Sequence, residues 1–84
     1  MTVYYITFRN VTPAQRGEGI LKKYGISCRL TRTPRWMEEQ GCGYCLKMGP
    51  ERILEGVTLL RENQINFRKI YSQQGNGEAQ EVVL

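Results

Sequence analysis

A strand pattern, a helix pattern and a second strand pattern follow one another twice in this chain, and this order limits the fold most. Residues 3–8, VYYITF, are all β-branched or aromatic and predict the first strand. A capping box of Thr12 and Gln15 predicts a helix that starts here and ends at Gly25. Apolar residues that alternate from Ile26 to Leu30 predict the second strand.

The second half of the chain repeats this order. Tyr44 to Met48 alternates between apolar and other residues and predicts a strand, Gly49-Pro50-Glu51 predicts a helix start, and residues 67–71 predict the last strand. The order β-α-β-β-α-β predicts an α+β fold, the ferredoxin-like βαββαβ sandwich. Its four-stranded antiparallel sheet has the order 4-1-3-2, with two helices on one face.

A chain of 84 residues has room for one core, so residues 1–71 are predicted to form a single domain. Residues 72–84 are polar and rich in glycine, and they are predicted to form a mobile C-terminal tail. Each predicted strand and helix has one apolar face, and the residues on these faces are predicted to form a shared core. They are Ile6, Phe8, Leu21, Ile26, Leu30, Leu46, Val57 and Leu60.

Composition and the N-terminal sequence indicate the expected cellular location. No apolar run approaches the roughly 18 residues of a membrane span, and the N-terminus has no signal-peptide pattern, so we expect a cytoplasmic protein. Thiols stay reduced there, which suits an odd count of three cysteines. A net charge of +4 marks a small basic protein and permits binding to nucleic acid or acidic surfaces without selecting either.

Two cysteines three residues apart, Cys42 and Cys45, allow three chemistries. A zinc site needs four ligands, and the chain has no histidine and only Cys28 to add, so no metal and no cofactor are predicted. A disulfide needs Cα atoms within about 7 Å, whereas an extended Cys42–Cys45 segment spans about 10 Å. That leaves a single working thiol at Cys42, flanked by Gly41 and Gly43, or a turn with an incidental cysteine. A disulfide stays open if Gly43 makes a tight turn, and so does a metal site shared across a dimer.

The predicted sheet gives Cys42 a location. Strand 3 runs antiparallel beside strand 1, so its start lies near residues 10–14, where helix 1 begins. The positive end of the helix dipole, with Arg35 and Arg32 nearby, is expected to lower the pKa of the Cys42 thiol.

The segments YYITF, AQRGEGILKKYGI, RLTRTPR, GCGYCLKM and NFRKIY resemble the putative selenium/sulfur carrier protein-like family of small bacterial proteins. The resemblance covers residues 3–71, and its most specific part is Thr33-Pro34-Arg35 followed by Cys42-Gly43. It implies roles for Pro34, Arg35, Cys42 and Gly43. Cys45 departs from the family pattern, which does not require it, and a secondary role is expected for it.

The resemblance also implies the chemistry. Cys42 would accept terminal sulfur or selenium from a persulfide or selenide donor protein, hold it as a persulfide or perselenide, and yield it to a downstream acceptor protein. This describes a stoichiometric carrier more than a turnover enzyme.

The alternative is a ferredoxin-like module that binds nucleic acid or protein without thiol chemistry. Tyr5 on the open sheet face could stack on a base, but strand 3 lacks the aromatic pattern of RNA-recognition sheets. An open face with Tyr5 and Cys45 would also suit a homodimer.

Overall fold

The computed structural model describes residues 2–33, 43–75 and 77–84 of the chain. An antiparallel five-stranded sheet has the order β2-β3-β1-β4-β5, and two helices share one core with one of its faces. The elements are β1 (Thr2–Phe8), α1 (Val11–Lys23), β2 (Arg29–Arg32), β3 (Tyr44–Met48), α2 (Ile53–Glu62), β4 (Ile70–Gln74) and β5 (Gln80–Val82). The predicted α+β class is confirmed.

The predicted four-stranded sheet with the order 4-1-3-2 is wrong, because a fifth strand pairs with the outer edge of β4. β5 lies within residues 72–84, for which no strand was predicted. Val82 is the register partner of Ile70 and packs against the core, and Lys69 forms an ion pair with Glu81 at 3.7 Å. Few apolar residues stabilise this strand, so its sequence pattern is weak.

Helix α1 begins earlier than predicted and ends where predicted. Its N-cap is Asn10 rather than Thr12, so the proposed capping box is absent, and Pro13 falls in the first turn, where a missing N–H is tolerated. At the other end Gly25 has a φ of 77°, and the N–H of Ile26 donates to the carbonyl of Leu21 at 2.8 Å. This Schellman ending turns Ile26 into the core, and β2 therefore begins only at Arg29.

Helix α2 ends in the same way. The N–H of Ile65 donates to the carbonyl of Leu60 at 2.9 Å, and Gln64 takes the left-handed position with a φ of 58°. Its start was predicted at residues 49–51, but the first helical residue is Ile53 and its N-cap is Arg52.

The core lies between the helices and one face of the sheet. Seven of the eight predicted core residues are buried, whereas Leu30 is only partly buried because β2 is an edge strand. The helices approach closely at two glycines. A methyl group on Gly17 would lie 3.0 Å from Leu60 Cδ2, and one on Gly56 would lie 3.5 Å from Leu21 Cδ2.

Among the described residues, no helix has both the length and the apolar character needed to cross a bilayer.

Candidate functional site

The last residue before segment 34–42 and the first residue after it are hydrogen-bonded to each other. The backbone N–H of Thr33 donates to the carbonyl of Gly43 at 3.0 Å, which extends the β2–β3 pairing by one step. Thr33 is bonded to Pro34 in the chain, and Gly43 to Cys42. The predicted site residues Pro34, Arg35, Gly41 and Cys42 lie outside the described residues, but the segment that contains them starts and ends at this one pair.

The Thr33–Gly43 pair lies at the end of β1, as the predicted topology required. Phe8 is the register partner of Tyr44, and a methyl group on Gly43 would lie 3.4 Å from the Phe8 carbonyl oxygen. Helix α1 begins at Val11, its first turn holds no acidic residue, and the Asn10 side chain makes no capping hydrogen bond within the described residues. The positive end of the helix dipole therefore lies near the start of β3.

Arg32, another predicted site residue, is at the same end of the sheet. It is the register partner of Tyr44, and its guanidinium carbon lies 5.6 Å from the centroid of the Tyr44 ring. A cation over an aromatic face is held by the quadrupole of the ring. This contact keeps a positive charge close to the Thr33–Gly43 pair.

Cys45 is fully buried on β3, opposite Thr7 and Thr31. Burial, which penalises the charged form, raises the pKa of its thiol to about 11, and the Thr33 hydroxyl and the Lys47 charge offset this only in part. At neutral pH this thiol is therefore protonated. Cys45 is therefore a poor nucleophile.

Cys28 is partly buried, and burial followed by the nearby Glu18 carboxylate raises the pKa of its thiol. It lines a depression of about 730 Å³ together with Arg29 and Lys47. That depression lies where β1 begins and β3 ends, the opposite end of the sheet from Gly43. Of the predicted site residues that the structure describes, neither Arg32, Gly43 nor Cys45 lines it.

The sequence placed Thr33 in the Thr33-Pro34-Arg35 motif, but no role was predicted for its side chain. It is 8% exposed, and its hydroxyl oxygen is buried without a hydrogen-bond partner among residues 2–33, 43–75 and 77–84. The hydroxyl lies near enough to Cys45 to favour the thiolate, but sulfur is a weak acceptor and the contact does not meet hydrogen-bond geometry. The only signal in the sequence is its position directly before Pro34-Arg35.

Tyr5 lies on the sheet face away from the helices, as predicted, but it is only 8% exposed. Its hydroxyl donates to Gln73 Oε1 at 3.1 Å, and Val3, Tyr71 and Ala79 pack around the cluster of Tyr5 and Cys45. A buried ring cannot stack on a base, which weighs against the nucleic-acid alternative.

No group of three or more metal-ligating side chains occurs within the part of the chain that the structure describes.

Comparison with known proteins identifies one family. The model of the family described as "Putative Se/S carrier protein-like" matches residues 3–72. Neither the curated proteins nor the solved structures contain a match to the chain.

Proposed function

The chain belongs to the Se/S carrier protein-like family, and from that premise we propose that it carries terminal sulfur or selenium on Cys42. The donor is a protein that presents a persulfide or perselenide, and the recipient is a downstream acceptor protein. The chain acts as a stoichiometric carrier in this scheme.

The transfer step needs no external oxidant. The Cys42 thiolate attacks the terminal sulfur of a donor persulfide, R–S–S⁻, and a new S–S bond forms as the old one breaks. The donor leaves as the thiolate R–S⁻, and the product is Cys42–S–S⁻. Discharge to an acceptor thiolate repeats the same exchange, and a perselenide donor gives Cys42–S–Se⁻ in the same way.

The Thr33–Gly43 hydrogen bond is the observation that carries this proposal. It joins the residue before Pro34-Arg35 to the residue after Cys42, so both halves of the family motif attach to one point of the sheet. That point lies at the end of β1, close to the start of α1 and to the Arg32 guanidinium. Positive potential there favours a thiolate and an anionic adduct.

The other two cysteines support the assignment by their surroundings. Burial raises the pKa of both the Cys45 and the Cys28 thiols, so neither is a ready nucleophile at neutral pH. Cys42 is the one remaining cysteine in the sequence.

Mass spectrometry tests the cargo. Protein purified without reductant should carry an added mass of about 32 Da for sulfur or about 80 Da for selenium on the Cys42 peptide. The Cys42→Ser variant, purified in parallel, should lack it. A mass increment that stays in Cys42→Ser and disappears in Cys45→Ser would refute the assignment.

Alkylation tests the thiol itself. The rate of iodoacetamide modification against pH should show an apparent pKa below the ordinary value of about 8.5. This reactivity should disappear in Cys42→Ser and persist in Cys45→Ser and Cys28→Ser, which are matched controls. A midpoint at or above about 8.5 would contradict the carrier function and favour a binding module without thiol chemistry.

A further inference from the structure

We propose that the exposed face of α1 and the edge strand β2 together form the docking surface for a donor protein with an acidic surface. This α1–β2 surface consists of Arg16, Gly19, Lys22, Lys23, Arg29 and Arg32. The inference rests on the proposed carrier function and adds to it the charge of the donor and the place where the donor binds.

The basic side chains are unevenly distributed along the chain. Residues 9–32 hold six basic side chains, all exposed, and one acidic side chain, Glu18. Residues 43–84 hold five basic and five acidic side chains. The Glu18 carboxylate already accepts a hydrogen bond from the N–H of Leu30 at 3.3 Å and pairs with Lys22 at 3.4 Å. The excess of positive charge among the described residues therefore belongs to the part of the chain that forms α1 and β2.

Helix α1 and strand β2 lie side by side at one margin of the molecule. β2 is an outer strand of the sheet, and the hydrogen bond from Leu30 to Glu18 joins it to the helix. Arg16 and Lys23 are two helical turns apart, which places them on one face of α1 with about 10 Å between them along the helix axis. Among residues 2–33, 43–75 and 77–84, neither side chain has an ion-pair or hydrogen-bond partner. Both charges are therefore available to a partner protein.

Two other residues of this region suit a protein interface. Gly19 lies between Arg16 and Lys23 on the exposed face of α1, and a methyl group there would meet nothing within 4 Å. Glycine lowers helix stability relative to alanine, so the isolated fold does not require it, whereas a partner that approaches the helix backbone closely requires a small residue. Tyr24, directly after Lys23, is 51% exposed, and tyrosine and arginine often contribute much of the binding energy at protein interfaces.

The charge of the surface matches the chemistry of a donor. A donor persulfide is itself an anion, and a basic surface attracts an acidic protein from a distance and raises its rate of association. Nucleic acid is another polyanion that binds basic surfaces. Sulfur transfer, however, requires a partner that presents a persulfide, which favours a protein.

The test uses two synthetic peptides of equal length that each carry one cysteine persulfide. One peptide is rich in glutamate, and the other has glutamine at the same positions. The measurement is the second-order rate of sulfur loading onto Cys42, read by mass spectrometry. Arg16→Gln/Lys23→Gln removes two charges from the α1–β2 surface, and the control Arg61→Gln/Arg68→Gln removes two charges from exposed positions elsewhere. The two variants have equal net charge, so they separate the effect of this surface from that of the whole protein.

We expect the glutamate peptide to load the unmodified protein about tenfold faster than the glutamine peptide at about 0.01 M salt, and this advantage to disappear at about 1 M salt. Arg16→Gln/Lys23→Gln should lose most of the advantage, whereas Arg61→Gln/Arg68→Gln should keep it. Equal losses in the two variants would overturn the inference, because the attraction would then come from net charge alone.

Nuclear magnetic resonance gives a second measurement. The glutamate peptide without its persulfide should shift the amide signals of Gly19, its helical neighbours and β2, and leave those of β4 and β5 unchanged. Shifts confined to other elements would contradict the docking surface. Binding of a short labelled RNA that is lost in Arg16→Gln/Lys23→Gln, with no preference for the glutamate peptide, would assign the surface to nucleic acid instead.

The two proposals fail in different ways. Equal loading rates for both peptides in the unmodified protein would overturn only the docking surface. Failure of both peptides to load Cys42 would overturn the carrier function, and the docking surface with it.

Discussion

Two glycines of α1 should respond in opposite ways to the same substitution. Gly17 is buried, and a methyl group there would lie 3.0 Å from Leu60 Cδ2 and 3.3 Å from Leu46 Cδ1. Both leucines are fully buried, so neither can move freely. Gly19 is exposed, and a methyl group there would meet nothing within 4 Å.

The magnitudes follow from two opposing terms. Alanine is better than glycine in a helix interior by about 1 kcal/mol at either position. Overpacking of a filled core costs about 1–3 kcal/mol and applies only at Gly17. We therefore expect Gly19→Ala to gain about 1 kcal/mol and Gly17→Ala to lose about 1 kcal/mol, a difference of about 2 kcal/mol.

Urea unfolding of both variants, followed by circular dichroism, measures this difference directly. The midpoints should lie on opposite sides of the unmodified protein, with equal slopes. If Gly17→Ala proves as stable as Gly19→Ala, the close packing of the two helices at Gly17 is refuted.

Two further perturbations probe the sheet. Leu46 is fully buried on β3 between Ile6 and Leu30. Leu46→Ala should therefore lower the free energy of unfolding, measured by urea titration, by about 2–5 kcal/mol. A loss below about 1 kcal/mol would contradict the core position of Leu46. Burial raises the pKa of the Cys45 thiol from 9.0 to about 11. The buried neutral thiol therefore contributes fully to stability below pH 9.0, and this contribution is lost as the pH rises from 9.0 to about 11. Relative to Cys45→Ala, the unmodified protein should lose at most about 3 kcal/mol between pH 8.5 and 11, and parallel pH profiles would show that Cys45 is not desolvated.

Much of the fold could be predicted because strong local patterns agree with the tertiary packing. The β-branched and aromatic run in β1 and the glycine at the end of α1 both indicated the right elements. Thr12 and Pro13 resembled a helix start, but the chain turns earlier, at Asn10, directly after β1 ends at Phe8. The end of β1 therefore determines where the helix begins, although Thr12 and Pro13 form a local capping pattern.

β5 could not be predicted, because its stability comes from pairing with β4 rather than from its own residues. Only Val82 among its three residues is apolar, and the sequence before it is rich in glycine and polar side chains. A local sequence pattern does not show which distant segment a strand will pair with.

The position of the start of β3 could be predicted from the sequence, whereas the roles of the site residues around Cys42 stay predictions. The antiparallel pairing of β1 and β3 placed the start of β3 beside α1, and the register of Phe8 with Tyr44 confirms it. The burial of Cys45 was not foreseen, since its strand face was expected to be open. The burial of the Thr33 hydroxyl depends on three-dimensional packing, which alternation of residue types does not reveal.

The last strand also affects how molecules of this protein behave toward one another. An uncovered sheet edge can recruit strands from other molecules and begin aggregation. β5 lies beyond the residues matched by the family and covers the edge of β4. The outer strands of the described sheet are therefore β5, with three residues, and β2, with exposed Arg29 and Arg32. Short and charged edges resist strand exchange. By covering one edge of the sheet, β5 thus limits the strand pairing through which copies of this protein could assemble into larger species.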